Sequence, residues 1–158
     1  MTKLSLHPFL DAAALRARDI PAPWTVGMAD TVRFGELDIL GHVNNTAYLQ
    51  WFETFRVSYF QAYGIADYLA GEVPRIVLRQ VGVDFLAEMK LGDSYTVTGR
   101  TVEMRRTSFR MEYGVWSGGT LRATGWAIIV TLDDGGTKTP LSEAMRATFT
   151  DRDGAVAL

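Results

Sequence analysis

The hydrophobic period of this chain changes once, at Pro74, and that change constrains the fold more than any other feature. From Thr46 the apolar positions follow a helical repeat. Tyr48, Phe52, Phe55 and Tyr59 share one stripe, with Trp51 and Tyr63 at its borders. Glu53 and Arg56 lie on another side, and Gly64 is placed to close the helix. A short turn over residues 65–71 follows. After Pro74 the period is two. Tyr95, Val97 and Gly99 alternate with Thr96 and Thr98, and Phe109, Met111, Tyr113 and Val115 alternate with Arg110, Glu112 and Gly114. Residues 121–132 become continuously apolar toward their end, as in a strand covered on both faces. Gly118-Gly119 and the stretch 133–136 (DDGG) read as hairpin turns. Residues 24–34 predict a first strand. One aromatic helix and four or five long antiparallel strands predict an α+β fold, with a single curved sheet wrapped around the helix.

With 158 residues, 47% of them hydrophobic, the chain can fill one such core, and no repeat or linker divides it. We place the domain at 24–150, an N-terminal extension at 1–23 and a C-terminal tail at 151–158. Residues 9–18 have the pattern of a short amphipathic helix, which Pro21 and Pro23 stop. Sixteen basic residues against eighteen acidic ones leave no basic stripe, so no nucleic-acid partner is expected. The absence of cysteine removes disulfides, thiolate ligands and a cysteine nucleophile, and fits a cytoplasmic setting. No apolar run approaches a membrane span, and the N-terminus lacks a signal-peptide core. G-x-S-x-G, G-x-x-x-x-G-K-[ST], G-x-G-x-x-G and H-E-x-x-H are all missing. His7 and His42 stand too far apart to suggest a metal site, and no cofactor is expected.

What remains is a compact polar cluster, residues 38–45 (DILGHVNN), set directly before the aromatic helix. Asn44 or Asn45 suits an N-cap, whose side-chain oxygen accepts from free amides of the first turn. The stretch 33–53 (RFGELDILGHVNNTAYLQWFE) resembles the hotdog-fold acyl-CoA thioesterases of the 4-hydroxybenzoyl-CoA thioesterase type. The resemblance continues in order through 83–93 (VDFLAEMKLGD), 105–113 (RRTSFRMEY), 123–130 (ATGWAIIV) and 138–141 (KTPL). It covers roughly residues 26–149, and the spacing from Asp38 to GHVNN is its specific part.

This resemblance implies an acyl-CoA substrate and a homodimer or homotetramer with the active site between subunits. It makes Asp38 the catalytic carboxylate and Gly41, His42, Val43, Asn44 and Asn45 the turn that brings a helix N-terminus onto the thioester. General chemistry agrees. A carboxylate can activate water or attack the thioester directly, and free amides at a helix start can hold the developing oxyanion. In some branches of the family the position of Asn45 carries histidine or tyrosine; an amide orients water or a carbonyl but cannot shuttle a proton at neutral pH.

Plainer roles stand beside these. Asp38 can serve as a turn residue satisfying nearby amides, and His42 as a structural residue bonded to backbone within the turn. The aromatic stripe is core, with Tyr48 and Trp51 as the rings placed to line an acyl pocket as well. Glu36 reads as a solvated carboxylate. Lys90, Arg105 and Arg106 are the candidate contacts for coenzyme A phosphates, and Ser108 for the pantetheine arm. Two other functions compete: a hotdog-fold hydratase or dehydratase acting on acyl thioesters, and a non-catalytic acyl-thioester-binding module.

Overall fold

The computed structural model describes residues 8–68 and 74–158. His7 and the end of the turn expected over 65–71 lie outside the described residues. In chain order the elements are β1 (Phe9–Leu10), α1 (Ala12–Arg16), β2 (Gly27–Thr31), a single 3-10 turn (Phe34–Glu36), α2 (Asn45–Ala62), β3 (Arg75–Phe85), β4 (Ser94–Met104), β5 (Ser108–Ser117), β6 (Thr120–Leu132), α3 (Glu143–Asp153) and β7 (Val156–Ala157). The strands form one sheet in the order β1-β2-β4-β5-β6-β3, antiparallel throughout, with the short β7 added parallel to β4. Among the described residues no helix is long and apolar enough to cross a membrane.

Helix α2 lies across the concave face of that sheet. Phe52, Phe55 and Tyr59 are fully buried, and Phe52 stacks on Tyr113 of β5 at 4.5 Å. Glycines in the sheet make this close approach possible. A Cβ added at Gly99 would sit 2.3 Å from the Phe55 ring, and one at Gly125 would sit 2.5 Å from the Phe52 ring. The helix ends as its sequence predicts. Gly64 takes φ +68°, and the amide of Ile65 returns to the carbonyl of Phe60. Gly118 and Gly119, both at positive φ, turn β5 into β6.

Three expectations change. The first strand is only Gly27–Thr31; beyond it the chain leaves the sheet for the 3-10 turn, where the Arg33 amide is tied to the Glu36 side chain. Of residues 9–18 only Ala12–Arg16 are helical, capped by Asp11, while Phe9 and Leu10 pair with β2. The turn at 133–136 leads not to a strand but to one bridge, Leu132 to Lys138. After it comes α3, a helix whose only buried side chains are Met145 and Phe149.

Helix α3 anchors the C-terminal residues. The carboxylate of Asp153 accepts from the Tyr59 hydroxyl, from the Tyr63 hydroxyl at 2.5 Å and from the Thr101 amide at 2.8 Å. Burial, reinforced by the Asp153 charge, holds both tyrosine hydroxyls well above the usual phenol range, so they stay protonated as donors. Arg152 lies 4.1 Å from the Tyr63 ring.

Gly99→Ala forces the Phe55 ring off its seat and is expected to cost about 2 kcal/mol, the scale of overpacking in a core. Gly135→Ala, in an exposed turn with room for a methyl, should stay within about 0.5 kcal/mol of wild type. Urea denaturation of both variants checks the contrast. Asp153→Ala strands buried phenol donors and is expected to cost about 2–4 kcal/mol; a change below about 0.5 kcal/mol would remove it as an anchor.

Candidate active site

The polar cluster folds as a reverse turn closed by an antiparallel bridge between Leu37 and Val43. The Asp38 amide donates to the His42 carbonyl at 2.7 Å, and the Gly41 amide to the Asp38 carbonyl at 3.1 Å. Gly41 takes φ +77° with open space around it, so its glycine is required by backbone conformation and not by close approach. Oδ1 of Asp38 accepts from the amides of Leu40 at 2.9 Å and His42 at 3.2 Å. Those bonds are the plain turn role, but they use one oxygen only. Oδ2 has no hydrogen-bond partner among the described residues, and the side chain is exposed.

Two contacts hold the turn in place. On one side the Val43 amide donates to the Met89 carbonyl at 2.9 Å, and His42 bridges to Lys90. The sequence reading bonds His42 to backbone within the turn, but its imidazole partners a carboxylate instead. Its Nε2 lies 2.8 Å from Glu88, which also sits 3.6 Å from the Lys90 ammonium. On the other side the Asn44 amide donates to the Glu36 carbonyl at 2.8 Å. Against the expectation of a solvated carboxylate, Glu36 is mostly shielded and accepts from the Trp51 indole at 3.0 Å and the Arg33 amide at 2.8 Å. Glu36 thereby ties the segment before the turn to α2. Its one sequence signal is the Arg33-x-x-Glu36 spacing; Glu88 has none beyond its place in the matched segment 83–93.

Asn44 is the N-cap. Its Oδ1 accepts from the Ala47 amide at 2.9 Å and the Thr46 hydroxyl at 2.6 Å. Asn45 is the first helical residue and is exposed, and the amides of Asn45 and Thr46 donate to no acceptor within the described residues. Free amides at the positive end of an 18-residue helix thus sit a few residues from a carboxylate with one unused oxygen. The rim is apolar: Ile39 is fully exposed, Phe34 80% and Leu40 74%.

The remaining predicted residues separate. Trp51 is buried in the core, stacked on Tyr95 at 3.9 Å. Tyr48 is also buried, between Trp51 and the half-exposed Phe85 at 5.1 Å; burial raises its hydroxyl above the phenol range, with the Arg122 charge opposing. Lys90 belongs to the site. Arg105, Arg106 and Ser108 do not join it within one chain. Ser108 pairs with Val130, which pairs with Val77, whereas the turn packs near Phe85, the other end of β3. Val77 and Phe85 are about 26 Å apart at the ~3.3 Å rise of a strand. Arg105 and Ser108 instead line a cleft of about 280 Å³ with Arg79 and Arg110. Among the described residues no group of histidine and carboxylate side chains could hold a metal ion.

The model of the thioesterase-like superfamily matches residues 32–149. A thioesterase-superfamily structure from Jannaschia sp. CCS1 is 47% identical, covering 96% of this chain and 98% of that one, with a TM-score of 0.90. A thioesterase from Thermus thermophilus, solved with coenzyme A and zinc, is 37% identical over 85% of this chain and 98% of its own, with a TM-score of 0.75. A predicted thioesterase from Bacillus stearothermophilus is 25% identical over 80% and 94%, with a TM-score of 0.71. No curated protein matches. The long helix on a single antiparallel sheet is the hotdog fold, and the chain belongs to the thioesterase-like superfamily.

Proposed function

We propose that this protein hydrolyses acyl-CoA thioesters to the free acid and coenzyme A, in the manner of the 4-hydroxybenzoyl-CoA thioesterase type. The observation that carries the reading is the pairing of Asp38 with the start of α2. One carboxylate oxygen is pinned by two amides, and among the described residues the other is unused and the Asn45 and Thr46 amides at the helix start that follows the turn are free. A thioester carbonyl hydrogen-bonded to those amides becomes more electrophilic, and its tetrahedral oxyanion is stabilised there. Asp38 then acts as general base toward water, or attacks the carbonyl carbon to give a mixed anhydride that water opens. Either route ends in a carboxylic acid and a thiol. With Asn45 unable to carry a proton, the proton path runs through Asp38 itself.

The site is open in one chain, and a second copy supplies what is missing. Among the described residues β3 ends the sheet with an unpaired edge, and Val77, Leu78, Phe85 and Leu86 on or beside it are exposed. An edge of this length calls for cover. Pairing β3 with its twin about a two-fold axis sets the Arg75 end of one strand beside the Phe85 end of the other. The partner subunit's Arg105 and Ser108 then approach the Asp38 turn, and Lys90 comes from the same chain. Coenzyme A phosphates would be held by both subunits. The coenzyme A bound to the Thermus thioesterase supports this substrate class. The cysteine-free composition fits a cytoplasmic enzyme.

Thiol release from acyl-CoAs should fall roughly 10²–10⁴-fold in Asp38→Asn, with acyl-CoA binding retained. Unchanged turnover would remove Asp38 from the mechanism; lost binding would make it a structural residue. If the phosphate contacts come from the other subunit, unfolding and refolding Asp38→Asn together with Arg105→Ala/Arg106→Ala restores about a quarter of wild-type activity at low substrate, since half the dimers are mixed and each carries one intact site. Mixtures no more active than the better parent would place those arginines on the same subunit as the carboxylate they serve.

A further inference from the structure

His42 and Asp38 stand opposite each other across the polar turn. Beyond the Leu37–Val43 bridge they are the next cross-strand pair, joined by the Asp38 amide on the His42 carbonyl. Val43 belongs to the core and Leu37 packs against it, so the alternate residues Asp38 and His42 point outward together. Side chains paired in this way have Cβ atoms about 5 Å apart. The imidazole is thus a neighbour of the Asp38 carboxylate, and the free amides of α2 begin three residues later.

Glu88 decides what that imidazole can do. One of its oxygens lies 2.8 Å from Nε2 of His42, and the other lies 3.6 Å from the Lys90 ammonium. A carboxylate only accepts, so Nε2 carries the proton of the neutral ring and Nδ1 keeps a lone pair. Nδ1 has no hydrogen-bond partner among the described residues, and the ring is partly exposed. An imidazole held by one nitrogen, with a lone pair on the other, is arranged as a base.

We propose that His42 is a second catalytic residue, which takes the proton from Asp38 and delivers it to the leaving sulfur, and that Glu88 is its positioning residue. The inference rests on the thioesterase reading above, along its general-base route. Asp38 takes a proton from water as the water oxygen bonds to the carbonyl carbon. That proton passes from Asp38 to Nδ1 of His42. The tetrahedral intermediate re-forms its carbonyl as the C–S bond breaks, releasing the acid and a thiolate. The imidazolium then protonates the thiolate, and both side chains return to their starting state. Imidazole suits this relay because it takes up and returns a proton near neutral pH, which the Asn45 amide cannot do.

The test measures thiol release from acyl-CoAs by wild type, His42→Ala and Glu88→Gln. His42→Ala should lower kcat roughly 10²-fold with KM little changed, and added imidazole should restore part of the rate. Glu88→Gln separates positioning from tethering. Its amide oxygen still accepts from Nε2–H, but its NH2 group can donate to Nε2 and favour the other tautomer, so kcat should fall at least about tenfold. Unchanged kcat in either variant, or a His42→Ala loss that imidazole leaves untouched, would overturn the proposal. Nitrogen NMR of protein labelled with 15N-histidine, in mildly alkaline buffer, needs no substrate. The chain has two histidines, so His42→Ala assigns the His42 signals. Wild type should carry its ring proton on Nε2 alone, and Glu88→Gln should show both tautomers. A wild-type ring protonated on Nδ1 refutes the proposal whether or not thiol is released. With no thiol release the hydrolysis reading fails, while the ring state still supports or refutes the placement of His42 by Glu88.

Discussion

The seating of two phenylalanine rings on two glycines fixes almost everything else in this molecule. Phe55 rests on Gly99 of β4 and Phe52 on Gly125 of β6, at distances that leave no room for a methyl group. A close-packed interior transmits such contacts rigidly. They set how near α2 lies to the sheet, and its N-terminus follows from that height. Tyr59 extends the same face toward α3, where Asp153 locks it. The helix is therefore held at its middle and at its far end, leaving its first turn to meet the polar turn that precedes it.

That turn is joined to the core by side chains from both directions. Glu36 links it to Trp51 on the helix, and Glu88 links His42 to the loop after β3. The contact with Glu88 is half exposed and contributes little energy by itself. Its value is geometric, since it acts together with the Val43–Met89 hydrogen bond on the same side of the turn. The Glu36 links are better shielded and hold the turn more firmly. Between them Asp38 and the free amides of α2 are presented on a surface with an apolar rim and an unpaired strand edge. Such a patch fits a site finished by a second subunit.

How much of this the sequence discloses depends on distance along the chain. The side-chain bonds of Asp38 and Asn44 and the Gly41 amide bond all run within four residues, so turn and cap chemistry read them directly. The aromatic stripe and the alternating strands are also local patterns, and the hotdog architecture follows from them. The link from Glu36 to Trp51 spans fifteen residues and leaves no periodic trace. The separation of Arg105 and Ser108 from Lys90 is a matter of strand register, which alternation does not fix. Helix α3 escapes for another reason: with only Met145 and Phe149 buried, its apolar pattern is too thin to be read, although Ser142 and Gly154 mark its two ends.

The account stands on one relation, a thioester carbonyl set between Asp38 and the first amides of α2. A crystal structure of Asp38→Asn with an intact acyl-CoA tests it most directly. The account predicts the carbonyl oxygen about 2.7–3.1 Å from the Asn45 or Thr46 amide, with the substituted side chain facing the carbonyl carbon. A carbonyl bound elsewhere, with the helix start open to water, would contradict it.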